Sequence, residues 1–142
     1  MTGERNKQIV ARFYEQAIND RDLEAVDRYL SEGFVHNGEP RGRAGQRAAI
    51  ALFLDAFPDL GHTIAFSLAE DDLVAARQGW EGTHAGSFLG VAPTGKRVSF
   101  TSTAVLRIEA GQIAEVWDEA DMLSVLAQVG ALKLGGGSGG KA

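Results

Sequence analysis

The chain has no cysteine, which excludes disulfides, thiolate catalysis and cysteine-ligated zinc. It also has no long apolar run. No stretch approaches the length of a membrane-spanning helix, and the opening Met1-Thr2-Gly3-Glu4-Arg5-Asn6 lacks the apolar centre of a secretion signal, so a cytoplasmic location is expected. Positive charge is sparse. Lys and Arg number 14 against 19 Asp and Glu, for a net charge of −5 with no basic cluster. Nucleic acid and anionic membrane surfaces are repelled by such a chain, and neither is expected as a partner. The three His lie far apart and form no HxxxH pair, and Glu70-Asp71-Asp72 occupies a turn too tight for its carboxylates to converge on one ion. Gly86, Gly90 and Gly95 do not open a helix as a phosphate loop does. No metal and no cofactor is therefore expected.

What remains is globular composition: 142 residues, 44% apolar and 23% charged, enough for one domain with a core and too few for two. From Gly135 the chain becomes Gly-Gly-Gly-Ser-Gly-Gly-Lys-Ala, a linker-like stretch that cannot pack. Residues 1–133 are read as the folded domain and 134–142 as a flexible tail of appended rather than evolved character. Such a tail leaves open that the chain is a redesigned scaffold.

The first half has helical period. Ile9, Phe13 and Ala17, beside Val10, Tyr14 and Ile18, predict an amphipathic helix from Glu4 to Asn19. A second is predicted from Asp22 to Leu30, stopped by Gly33, with Phe34 to Asn37 extended. A third runs from Gln46 to Phe57 and ends at Pro58, because the residue before proline is pushed out of helical geometry. The second half alternates with period two. Ile64, Phe66 and Leu68 predict a strand, followed by strands at Leu73–Thr83, Arg97–Glu109 and Gln112–Ala120 and a closing helix from Met122 to Val129. Helices followed by an antiparallel meander read as α+β, with a twisted sheet that curls around a ligand cavity.

Local patterns sharpen this. Phe57-Pro58-Asp59, Gly82-Thr83-His84, Gly90-Val91-Ala92-Pro93-Thr94-Gly95-Lys96 and Arg107-Ile108-Glu109-Ala110-Gly111-Gln112-Ile113-Ala114-Glu115-Val116-Trp117 follow in that order, with Asp121 and Gln128-Val129-Gly130 beyond. Together, over about residues 5 to 131, the chain resembles the SnoaL-like polyketide cyclases of the NTF2-like superfamily. The resemblance implies a cone-shaped barrel, N-terminal helices packed on a curved, mostly antiparallel sheet. It also implies ring closure by intramolecular aldol condensation without metal or cofactor, on a hydrophobic carbonyl compound. The family's catalytic carboxylate follows the Trp of the last strand, which in this sequence corresponds to Asp121.

Proton abstraction beside a carbonyl needs a base in a dry site and a donor for the enolate oxygen. If the last strand is regular, Ile113, Glu115, Trp117, Glu119 and Asp121 share a face, with Asp118 on the other, and Asp121 reaches the cavity beside Trp117. Equally, Asp121 suits the cap of the helix at Met122. His36 is a candidate general acid and Asn37 a pocket donor, against a loop pair bonding its own backbone. Trp80 and Gln78 share a strand face with Ala76 and Val74 and suit a flat, partly polar ligand. Tyr14, His84 and Trp117 complete the candidate substrate-binding set, and His62 is assigned to the surface. The alternatives are ketosteroid isomerase-like or redesigned proton-abstraction chemistry, and a non-catalytic binding or dimerisation module. The mixed outer face at Thr101, Thr103 and Val105 suits a homodimer or higher homo-oligomer.

Overall fold

The computed structural model describes residues 2–133, so the linker-like tail lies outside the described residues. Helix α1 spans Thr2–Tyr14 and buries Val10, Phe13 and Tyr14. It continues as a π-helical turn over Glu15–Asn19, closed by the Asp20 N–H on the Glu15 carbonyl at 2.9 Å. The wider turn leaves Tyr14 and Ile18 on one side, both facing the interior cavity. Its last residue is stapled to the sheet: the Asn19 amide donates to the His62 carbonyl (3.0 Å) and accepts from the His62 N–H (2.9 Å).

Helix α2 is only Ala25–Tyr29, shorter than its apolar spacing predicts. Leu30 is already extended at φ −99°, ψ 145°, and begins strand β1, Leu30–His36. Gly33 thus lies inside a strand rather than stopping a helix. Pairing decides this: Leu30 lies opposite Ile113 and His36 opposite Val116 in a parallel ladder, and such tertiary pairing outweighs weak local helical preference. Strand β2, Glu39–Pro40, pairs back on β1, and Gly42, at φ +64°, turns the chain into α3, Gly42–Ala56.

The meander follows its predicted outline: β3 Gly61–Glu70, β4 Leu73–Thr83, β5 Arg97–Glu109, β6 Gln112–Ala120, and then α4 Met122–Gln128. The six strands lie in the order β2-β1-β6-β5-β4-β3, antiparallel except for β1 against β6. On β5, Val98, Phe100, Ser102, Ala104, Leu106 and Ile108 are buried and the intervening residues face outward. Helices α1 and α3 cover that inner face, and the chain is an α+β fold as expected.

Two bulges break the alternation on which face assignments depend. In β3, Ile64 pairs with Gln78 and Phe66 with Arg77, leaving Ala65 unpaired. The face therefore flips: His62 and Ile64 turn inward, whereas Phe66 and Leu68 are 61% and 65% exposed. In β6, Arg107 pairs with Glu115 and Ile108 with Ile113, so Ala114 is the extra residue. Beyond it, Val116 and Asp118 face inward and Trp117 outward, 41% exposed.

Between β4 and β5, Ala85 and Gly86 both donate to the Ala56 carbonyl at 3.0 Å, tying the loop to the end of α3. Phe88 then packs against Phe53 and Phe57, ring centres 5.3 and 5.1 Å away. This aromatic cluster forms the wall behind the cavity.

Candidate active site

A cavity of about 420 Å³ lies between the inner sheet face and helices α1 and α3. Phe13, Phe34, Phe53 and Trp80 give it aromatic walls, and Ile18, Ile50, Val116 and Met122 make the remainder largely apolar. Trp80 lies parallel to Phe100 (6.0 Å, 5°), with its indole N–H fixed on Ser102 Oγ at 2.8 Å. Such surfaces suit a flat ring. The polar groups reaching the cavity are Tyr14, His36, Arg41, Gln46 and Asp118.

Asp118 and His36 meet across the parallel β1–β6 ladder, with His36 Nε2 3.3 Å from Asp118 Oδ2. An ionised carboxylate only accepts, so Nε2 carries the proton and donates. The Asn37 amide donates to Asp118 Oδ1 at 3.1 Å, and Asn37 Oδ1 accepts the Asp118 N–H at 2.8 Å. Burial pushes the Asp118 carboxyl upward, but the His36 bond and charge, Asn37 and the charge of Arg41 outweigh it, and the acid is held below its ordinary value. Asp118 is therefore ionised at neutral pH.

A second polar group backs the cavity wall. His62 is buried rather than at the surface, stacked on Tyr14 (4.6 Å, 19°) and edge-on to Trp80 (4.4 Å, 62°). Its Nε2 donates to Gln78 Oε1 at 2.6 Å. Burial lowers its pKa, with Gln78 and Glu15 opposing. The Tyr14 phenol is pushed well above its usual range, by burial first and the Asp118 charge second, with Gln78 opposing, so it stays a neutral donor.

The candidate residues separate cleanly. Tyr14, His36 and Trp80 line the cavity. Asn37 and Gln78 stand behind it, holding Asp118 and His62 respectively. His84 is fully buried elsewhere. Its Nδ1 accepts the Thr94 N–H at 3.3 Å and lies 2.9 Å from Thr94 Oγ1, while Nε2 has no partner among the described residues. Trp117 faces outward, against the expectation that it shares the cavity. Asp121 does not share the cavity either: its Oδ1 accepts the Ser124 N–H at 3.1 Å as the cap of α4, and its carboxyl borders an outer groove with Thr101 and Ser124. The bulge at Ala114 explains both placements. It puts Asp118 on the inner face, where strict alternation assigns the opposite parity. Sequence reasoning passed over Asp118, Arg41 and Gln46. Only the helical spacing of Gln46 with Ile50 and Phe53 carried a signal for any of them. Among the described residues, no three acidic or His side chains gather to hold a metal ion, and no helix is long and apolar enough to cross a membrane.

Residues 8–129 match the SnoaL-like polyketide cyclase family. The aklanonic acid methyl ester cyclase DauD of Streptomyces sp. (strain C5) is 32% identical over 107 residues, 74% of this chain and 66% of DauD. The chain thus spans about two thirds of that relative. Among solved structures, TsrD from Streptomyces laurentii matches with a TM-score of 0.84 at 32% identity, covering 89% of this chain and 96% of TsrD. AclR from Streptomyces galilaeus, described as a candidate hydroxylase, matches with a TM-score of 0.80 at 33% identity, covering 90% and 86%.

Proposed function

The chain belongs to the SnoaL-like polyketide cyclase family, and from that premise we propose that it closes a ring by intramolecular aldol condensation, with Asp118 as the base. The observation that carries this assignment is the His36–Asp118–Asn37 constellation, an ionised carboxylate in an aromatic cavity with both oxygens held. Asp118 removes a proton from a carbon beside a carbonyl. The electron pair left on that carbon forms the new C–C bond to a second carbonyl carbon of the same molecule. The oxygen of that carbonyl takes the π pair and then the proton from Asp118, so the product is an isomer of the substrate. His36 is a positioning residue, directing the carboxylate through its Nε2–H.

A carboxylate below its ordinary pKa is a weak base, which limits the substrates it can serve. A simple ketone is too weak an acid. A carbon flanked by two carbonyls, as in a β-keto ester, matches it, and the aromatic walls favour a ring-bearing one.

The test is incubation with aklanonic acid methyl ester and simpler aromatic β-keto esters, followed by chromatography and mass spectrometry. A new product of unchanged mass is expected, with Asp118→Asn reducing kcat by roughly 10²–10⁴ while circular dichroism stays the same. Inert wild type across the panel, or full activity in Asp118→Asn, refutes the assignment. A product heavier by one oxygen favours hydroxylation of the kind ascribed to AclR.

We also infer that the outer sheet face pairs with a second copy of the chain. Leu68, Ala75, Val105 and Trp117 lie opposite one another across four strands, an apolar row on the solvent side.

A further inference from the structure

Two opposite charges share the cavity without touching. Arg41 and Asp118 both line it, and the Arg41 charge reaches the carboxylate, yet the two form no ion pair. Each is held by partners of its own. Asp118 has His36 and Asn37, and Arg41 has Gln46, whose Oε1 accepts from Nη1 at 2.7 Å. Glu39 lies 3.9 Å from Arg41 Nε, beyond hydrogen-bond distance, and is largely exposed. Of the five guanidinium N–H groups, one is engaged by a side chain among the described residues.

The backbone accounts for this placement. Gly42 adopts φ +64°, and a Cβ there would stand 3.3 Å from the Glu32 carbonyl. The chain turns at that point, Arg41 precedes the first turn of α3, and Gln46 shares a face with Ala49, Ile50 and Phe53. Backbone and Gln46, not an acidic partner, fix the cation.

We infer that Arg41 is a catalytic residue of the ring closure, its guanidinium holding the carbonyl oxygen that becomes negative when Asp118 takes the adjacent proton. This rests on Asp118 being the base. The carbon that loses the proton and the oxygen that gains the charge are separated by one atom, so anion and cation must flank the substrate with a gap between them. Side chains in contact would neutralise each other and leave no such space. Before proton transfer the negative charge sits on Asp118, and afterwards on the enolate. Arg41 stays protonated throughout and is the counter-ion of both. In a largely apolar enclosure that interaction is worth far more than in water, and it offsets the weakness of the base.

The experiment compares wild type, Arg41→Gln and Arg41→Lys on whichever β-keto ester the wild type turns over. It adds 2-naphthol titrated in Asp118→Asn protein, whose amide stands for the protonated base, with and without Arg41→Gln. An interaction made only with the developing charge lowers kcat and kcat/KM together, by roughly 10²–10³ in Arg41→Gln, with partial recovery in Arg41→Lys. Naphthol fluorescence is expected to show ionisation at lower pH in Asp118→Asn than in the double variant. Identical naphthol titrations overturn the proposal, as does a rise in KM with unchanged kcat, which means Arg41 reads a charge already on the substrate. Failure of the Asp118 assignment registers separately, as full turnover by Asp118→Asn, and leaves the naphthol comparison intact.

Discussion

Replacing Gly86 by alanine tests how firmly the loop before β5 is docked. An added Cβ would stand 2.3 Å from the Asp55 carbonyl oxygen and 3.1 Å from Ala56 Cα. Both obstacles are backbone, so no rotamer change relieves them, and the loop must retreat by about 1 Å to restore ordinary contact. That retreat stretches the two bonds from Ala85 and Gly86 to the Ala56 carbonyl, each 3.0 Å at present. Losing two bonds of about 1 kcal/mol each, with overpacking strain of about 1–3 kcal/mol, outweighs the gain of under about 1 kcal/mol from stiffening the unfolded chain. A net loss of about 2–4 kcal/mol follows, which for a domain of this size lowers Tm by roughly 8–15 °C. The assay is thermal and urea unfolding followed by circular dichroism, alongside Gly33→Ala. At Gly33 an added Cβ meets nothing within 4 Å and φ is not positive, so little change is expected. If Gly86→Ala melts with the wild type, the loop does not dock as described, and the support Phe88 gives to Phe53 has no basis.

Asp121→Ala is expected to cost about 1 kcal/mol, the usual value of a helix cap, with turnover unchanged. Lost turnover in a normally folded variant would instead make Asp121 the base. His62 gives a pH dependence. Burial lowers its folded pKa, so the stability it contributes is complete above the unfolded value of about 6.5 and declines as pH falls from there toward the folded value. His62→Gln should therefore flatten the fall in urea midpoint between pH 7 and 5.5, and an equal slope in both proteins would refute this. Leu68→Arg, on the exposed apolar row, should convert a sedimenting dimer to monomer without loss of helix or sheet signal. Wild type that already sediments as a monomer would rule out the pairing.

The element order was legible because amphipathic period is strong over long segments: Ile9, Phe13 and Ala17 marked α1 and the π-helical turn that continues it, and the alternation of Val98 to Ile108 marked β5. The family was legible in the Gly-rich turns and the Trp117 segment. The face of each strand was not, where bulges intervened. A bulge adds one residue without a compositional mark, since Ala65 and Ala114 read as ordinary strand alanines, yet every later side chain changes face. That is why Phe66 and Trp117 emerge outward and Asp118 inward. Arg41 was hidden differently. A lone arginine before a helix reads as solvated surface, and only the backbone turn at Gly42 brings it to the cavity. His62 was assigned to the surface because nothing in its neighbours foretells the stack with Tyr14.

The unpaired residue in β6 bears on how such sites change over evolutionary time. Deleting Ala114 would leave Ile113 opposite Ile108 and Glu115 opposite Arg107, so Val116 and Asp118 would still face inward and Trp117 outward. A one-residue gap at Ala114 in an alignment of relatives is thus a neutral length difference for the carboxylate, whereas a gap between Glu115 and Asp118 turns it outward. Strict alternation counted from Ile113 assigns the base to the wrong face wherever the bulge is present. This scaffold can therefore acquire a different reactive group in a single step by an insertion or deletion between Glu115 and Asp118, which exchanges Asp118 for Glu119 on the inner face.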